Sequence, residues 1–226
     1  MDTTAKPSQT IIVIFGAGEI AQIANFYFSQ TEDFEVCAFV VDDEYAKEKD
    51  FCSKPLIGLS ELAQKFPASS YDAFVAISYA NMNRVRQSKF ETLKKMGYNL
   101  VSYVSPQCTC YSKEIGENCF IFEDNTIQPY AQIGNNVTLW SGNHIGHHSK
   151  INDNCFITSH VVISGGVNVG VNCFIGVNAS IRDHITIGDY TLIGAGALIT
   201  KNTEPKSVYR GFRSEPLELT SDQMKI

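Results

Sequence analysis

The chain has 226 residues, 18 Lys and Arg against 24 Asp and Glu, and a formal net charge of −6. That balance, with no long basic run, argues against binding to nucleic acid, and the length suits two ordinary domains. No apolar stretch reaches the roughly eighteen residues of a membrane-spanning helix, and no signal-type leader opens the chain, so a soluble cytoplasmic protein is expected, its 7 cysteines held as thiols.

After a polar leader, Ile11–Phe15 reads as a buried strand. It runs straight into Gly16-Ala17-Gly18-Glu19-Ile20-Ala21 and an apolar helical stretch to about Phe28. Glu35–Val41 is a second strand ending in Asp42 and Asp43, and Ala73–Ile77 a third. Strand, glycine turn, helix, strand and acid is the order of a Rossmann-like half domain. Glycines let the backbone approach a phosphate, and the helix that follows offers free N–H groups at its N-terminus. Taken alone, this turn reads either as purely structural or as a nicotinamide site.

From Ile115 to Ile199 every sixth residue is a branched aliphatic, with no slip of phase. A period of six fits neither a helix of 3.6 residues per turn nor simple alternation, so it belongs to a hexapeptide parallel β-helix. Small residues, among them Cys119, Ala131, Ser149, Ala179 and Ala197, recur four places after the aliphatic and are expected to point inward. Glycine often follows the aliphatic directly, which reads as the demand of tight corners. Three hexads make one triangular coil, so residues eighteen apart stack about 4.8 Å from each other. Cys119, Cys155 and Cys173 then share one buried column, whereas Cys108 and Cys110 lack the second pair of a zinc site. The chain divides into 1–105, an α/β domain; 106–204, the β-helix; and 205–226, a tail.

All five histidines lie between 144 and 184. His147 is third in its hexad, at a corner expected to face outward, and Gly165 stacks directly on it one coil later. A base beside an exposed backbone N–H is what acyl transfer from a thioester to an amine requires. The other four histidines read as solvated or capping residues, with His148 and His184 on one column that could line the site.

A small α/β domain followed by a hexapeptide helix, with the Gly16-Ala17-Gly18 turn and the His147 and Gly165 column, resembles the bacterial nucleotide-sugar N- and O-acetyltransferases of the sialic-acid and bacillosamine pathways. The resemblance implies a left-handed β-helix and a first domain that holds a nucleotide-linked amino sugar rather than NAD. It places Gly16, Gly18 and Glu19 at the diphosphate, Asp42 and Asp43 near the nucleoside, and Ser78 close to the sugar. It makes His147 the general base, the Gly165 N–H the donor to the thioester carbonyl, and Val177 and Ala195 backbone contacts of acyl-CoA. It further implies direct attack without an acyl-enzyme, acetyl-CoA as co-substrate, no resident cofactor, no metal and a homotrimer. The substrate it suggests is a 4-amino-4,6-dideoxy sugar for surface polysaccharide in a bacterial cytoplasm.

The chain departs from that pattern in places. Many relatives read Gly-Ala-Ser-Gly-His where this one has Gly16-Ala17-Gly18-Glu19-Ile20, so a histidine contact to phosphate is missing. An acid often follows the catalytic histidine; here His148 stands there, leaving Asn143 or a backbone carbonyl to orient His147. Phe156 replaces a histidine that touches CoA. Alternatives are a sugar O-acetyltransferase of the sialic-acid type, a zinc enzyme of the γ-carbonic anhydrase type, and a nucleotide-sensing scaffold without chemistry.

Overall fold

The structure, a computed structural model, describes residues 9–216 and 218–224. The N-terminal region comprises β1 (Thr10–Phe15), α1 (Glu19–Ser29), β2 (Phe34–Val41), β3 (Asp50–Phe51), β4 (Lys54–Gly58), α2 (Leu59–Lys65), β5 (Asp72–Val75) and α3 (Arg84–Lys95). Its sheet runs β3-β4-β2-β1-β5, parallel except for the antiparallel edge pair β3 and β4. Helices cover both faces, so β1 has no polar alternation. Ile12 and Ile14 pack into one apolar cluster with α1, while Val13 and Phe15 pack into a second with Leu62 of α2 and Leu93 of α3. At the exit of β1, Gly16 has a φ of +131°, and a side-chain carbon there would come 2.5 Å from the Ala76 carbonyl oxygen. Only glycine fits both demands.

From Tyr103 onward the chain winds into a left-handed β-helix-like fold of two-residue parallel strands. The stacking offset is the expected eighteen, as in His144 on Val162 and Ile145 on Ile163. The strands make three faces. The first includes Phe120–Ile121, Thr138–Leu139, Phe156–Ile157 and Phe174–Ile175; the second Thr126–Ile127, His144–Ile145, Val162–Ile163 and Leu198–Ile199; the third Gln132–Ile133, Lys150–Ile151 and Asn168–Val169. Every sixth-position aliphatic from Ile121 to Ile199 is buried, together with Cys119, Ala131, Ser149, Ala179 and Ala197, so the inward stack has the composition expected. Strands ahead of the regular repeat join with a shorter offset, Tyr103 pairing Phe120, and Val208–Tyr209 closes the far end against Leu192–Ile193.

One expectation needs correction. The glycines that follow the aliphatics are not where the backbone turns left-handed. That conformation falls two places later, at every third residue after the aliphatic from Asn118 to Gly196, including His148, His160 and His184. The glycines serve close approach instead: a side-chain carbon on Gly146 or Gly176 would come 2.5 Å from the backbone nitrogen of Gly165 or Ala195 in the next coil. Asn, Asp and His tolerate a positive φ better than most residues, which suits three of the five histidines to these corners.

The first face of the β-helix is covered by the N-terminal region. Phe28 and Phe74 share one buried cluster with Tyr103, Phe120 and Phe122, so the two parts have a common core. A polar bridge flanks it: the Tyr27 hydroxyl donates to Glu123 (2.7 Å) and the Ser141 hydroxyl to the other oxygen of the same carboxylate (2.6 Å). Burial first, and then the carboxylate, push the Tyr27 phenol up to about 12, so it remains a donor at neutral pH. Burial also pulls the Glu123 carboxyl upward, but the hydrogen bonds from Ser141 and Tyr27 outweigh it and leave the group below its ordinary value. A carboxyl lowered by folding contributes stability above its unfolded pKa and loses it as pH falls through the folded one. The melting temperature of Glu123→Gln should therefore lie below that of the native chain at pH 7 and converge on it below about pH 4. An equal gap at both ends of a pH-dependent melting series would show that the charge contributes nothing.

Candidate active site

A cleft of about 740 Å³ opens where the end of β1 and the start of α1 meet the corner between the first and second faces of the β-helix. Gly16, Gly18, Glu19, Ser78 and Val177 all line it. A side-chain carbon on Gly18 would meet nothing within 4 Å. Its glycine therefore keeps open the approach to the first turn of α1, whose leading N–H groups lack helical partners. Glu19 is the one charged side chain among the described residues of the lining. Ala195 lies exposed one coil beyond Val177 on the same corner column.

The opposite wall is aromatic, and sequence reasoning missed it as a feature. Trp140 stacks on Phe122 with centroids 4.7 Å apart and planes 7° from parallel. Phe156 stacks on Phe174, and Tyr79 leans on both at 5.1 and 4.7 Å. Both stacked pairs are eighteen apart, so the columns were there to be read. What they face was not.

Asp42 and Asp43 stand outside the cleft lining, in a separate hollow with Glu44, Leu59 and Ser60. Each has a structural partner: Lys89 pairs with Asp42 at 2.6 Å, and Asp43 accepts from the Ser60 N–H (3.0 Å) and hydroxyl (2.9 Å).

His147 and Gly165 lie at a different corner, between the second and third faces. A side-chain carbon on Gly165 would come 2.6 Å from Cε1 and 2.7 Å from Nε2 of His147, so the ring lies over the glycine. The neighbouring Ser164 and Gly166 N–H groups donate to the Ile181 and His147 carbonyls. The Gly165 N–H has no hydrogen-bond partner among the described residues. Nδ1 of His147 lies 3.1 Å from Nδ1 of His148, and the His148 ring rests against Tyr130 at 4.8 Å. Asn143 is not the orienting partner: it is buried, accepts from the Val161 N–H at 2.7 Å and donates to the Trp140 carbonyl. Its side chain holds a corner of the helix, and the ring nitrogen beside His147 is that of His148.

Among the described residues no group of three or more His, Cys, Asp or Glu is placed to hold a metal ion, and no helix is long and apolar enough to cross a membrane.

Residues 130–165 and 166–201 match the bacterial transferase hexapeptide family model, described as six repeats. This β-helix carries the transferase hexapeptide repeat. Among solved structures, the chain is similar to a histidine-to-asparagine variant of perosamine N-acetyltransferase from Caulobacter crescentus, in complex with CoA and GDP-perosamine. The TM-score is 0.80 at 23% identity, over 92% of this chain and 96% of that one. It is also similar to the acetyltransferase domain of PglB from Neisseria gonorrhoeae with acetyl coenzyme A (TM-score 0.60, 21% identity, 93% and 100% covered). WeeI from Acinetobacter baumannii is a third (0.66, 21%, 88% and 96%). At these identities the likeness speaks for the fold. A comparison with curated proteins finds no match.

Proposed function

We propose that the protein is an acyl-CoA-dependent N-acyltransferase acting on a nucleotide-linked amino sugar, with His147 as general base and acetyl-CoA as acyl donor. The observation that carries this reading is the His147 ring lying over Gly165, whose N–H has no hydrogen-bond partner among the described residues. Solved structures of the same fold, one of them a histidine variant, hold CoA and GDP-perosamine or acetyl coenzyme A. The order β4-β2-β1-β5 with a glycine turn after β1 supports a Rossmann-like half domain that receives the nucleotide.

The chemistry follows from the contacts. If Nδ1–H of His147 donates to Nδ1 of His148, the Nε2 lone pair is free; this tautomer is inferred from the proton balance. The sugar amine attacks the thioester carbonyl and Nε2 takes the proton it sheds. The Gly165 N–H donates to the oxyanion. Collapse of the tetrahedral intermediate breaks the carbon–sulfur bond, and the proton passes to the departing CoA thiolate. The products are an amide and free CoA.

The diphosphate is assigned to the first turn of α1 beside Gly16 and Gly18. Glu19 is the single charge among the described residues of the lining, so N–H groups rather than cationic side chains would hold it. The nucleoside would run towards Asp42 and Asp43, the sugar would lie between Ser78 and the aromatic wall, and acyl-CoA would pass along Val177 and Ala195.

The catalytic pair and the cleft occupy different corners of one chain, at opposite edges of the second face. A site built from both needs a second copy, so the reading includes a homotrimer with each site between subunits. The outward row of that second face, Thr109, Thr126, His144, Val162, Ser180 and Leu198, contains no Lys, Arg, Asp or Glu, and Val162 and Leu198 are exposed. Depletion of charge marks the core of subunit interfaces.

CoA release measured against UDP-, dTDP- and GDP-linked amino sugars, with the matching hydroxy sugars as controls, tests the proposal. Release with an amino sugar alone is expected. Release only with hydroxy sugars would make the protein an O-acyltransferase, and no release with either would overturn the reading.

A further inference from the structure

We infer that Arg86 is a positioning residue: it clamps the Ser78–Asn83 turn to the β-helix so that Ser78 and Tyr79 meet the bound sugar nucleotide in one fixed arrangement. The inference rests on the cleft taking the ligand proposed above.

The turn between β5 and α3 is unusual in its backbone. Asn81, Met82 and Asn83 have successive φ values of 50°, 51° and 64°, a left-handed run that side chains disfavour. Such strain persists only where the surroundings over-determine it, and here they do. The Asn83 amide donates to the carbonyls of Asn172 (3.2 Å) and Cys173 (3.1 Å), and the Asn172 amide donates back to the Met82 carbonyl (3.3 Å).

Arg86, 1% exposed, ties both ends of the turn to the helix. Nη1 donates to the Ser78 carbonyl (3.3 Å) at the entrance and to Oδ1 of Asn83 (3.0 Å) at the exit. Nη2 donates to the carbonyls of Asn136 (3.2 Å), Asn154 (2.9 Å) and Cys155 (3.2 Å), which belong to successive coils. The acceptors are carbonyl and amide oxygens; no carboxylate pairs with the guanidinium among the described residues. Burial pushes its pKa down to about 10, leaving it cationic at neutral pH.

A buried cation without a counter-charge is a costly way to join two domains that already share an apolar core. What it adds is geometry. A planar fork of five donors can serve several acceptors at set angles, which the single ammonium of lysine cannot. The guanidinium carbon also lies 5.5 Å from the Phe156 ring, the ring that Tyr79 leans against from the cleft side. Tyr79 is 51% exposed and Ser78 shares its wall, so the clamped turn ends on the ligand surface.

Arg86→Lys tests this in the full-length protein. The KM for the nucleotide-linked amino sugar should rise about 10- to 100-fold, the cost of a misplaced wall, while the KM for acetyl-CoA stays within about twofold and the melting temperature shows a folded protein. Amide hydrogen exchange at residues 78–84 should quicken about tenfold, with residues 176–199, which Arg86 does not touch, unchanged. Asn83→Gly, which keeps the left-handed backbone but deletes the side-chain anchors, should do the same and serves if the lysine variant does not fold. Both KM values moving together, or neither moving in a folded variant, would overturn the assignment. A native protein that releases CoA with no nucleotide sugar sinks the functional reading alone. The clamp is then judged by exchange, and unchanged exchange at 78–84 would overturn it.

Discussion

His147→Ala is expected to lower turnover by about 10²- to 10⁴-fold, the usual cost of removing a general base, while acetyl-CoA binding and assembly stay near native. The side chain is exposed and lies outside the buried stack, so its loss leaves no cavity. Its contacts are the ring of His148 and the open backbone of Gly165. The companion variant His148→Phe should also lower kcat, but by less. It removes the acceptor that selects the His147 tautomer and leaves the base in place. Steady-state CoA release with a verified substrate decides the matter. A His147→Ala enzyme with near-native kcat would move the base to His148 or His144.

Two inactive variants should restore each other when mixed: His147→Ala, which lacks the proposed base, and Ala195→Trp, which blocks the proposed acyl-CoA wall. Ala195 is exposed above Val177 at the corner between the first and second faces, and His147 stands at the next corner round the helix. The width of the second face separates them within a chain, and the hexads from 115 to 199 carry no insertion long enough to reach across. In a threefold ring, one chain's His147 corner would meet its neighbour's Val177 corner. Random reassembly of equal parts would then give about a quarter of sites one intact corner from each parent. Recovery of that order after co-refolding is expected. No recovery despite proven subunit exchange, or an active species sedimenting as a monomer, would place the whole site in one chain.

The parallel β-helix makes spatial contact a function of sequence offset, which is why so much of it was legible. A run of aliphatics at every sixth position determined the inward stack. An offset of eighteen put Gly165 under the His147 ring and Ala195 beyond Val177, as the structure has them. The glycine turn after β1 was legible for a similar reason, since Gly16 answers to local sterics at the Ala76 carbonyl. Other features depend on how the non-repeating domain meets the repeating one, and no offset encodes that. Arg86 is one charged residue on a helix until its fork reaches the carbonyls of Asn136, Asn154 and Cys155. Trp140, Phe156 and Tyr79 become a cleft wall only because the first face, rather than the second or third, packs under α1. Within the first domain, the packing of α3 beside the end of β2 gave Asp42 the partner Lys89, 47 residues away, which strand and acid order could not name. The sequence alone thus determined what repeats and what turns, because those are set by neighbours at fixed spacing. Tertiary structure decided which corner became a cleft, because that depends on surfaces joined across long and irregular separations.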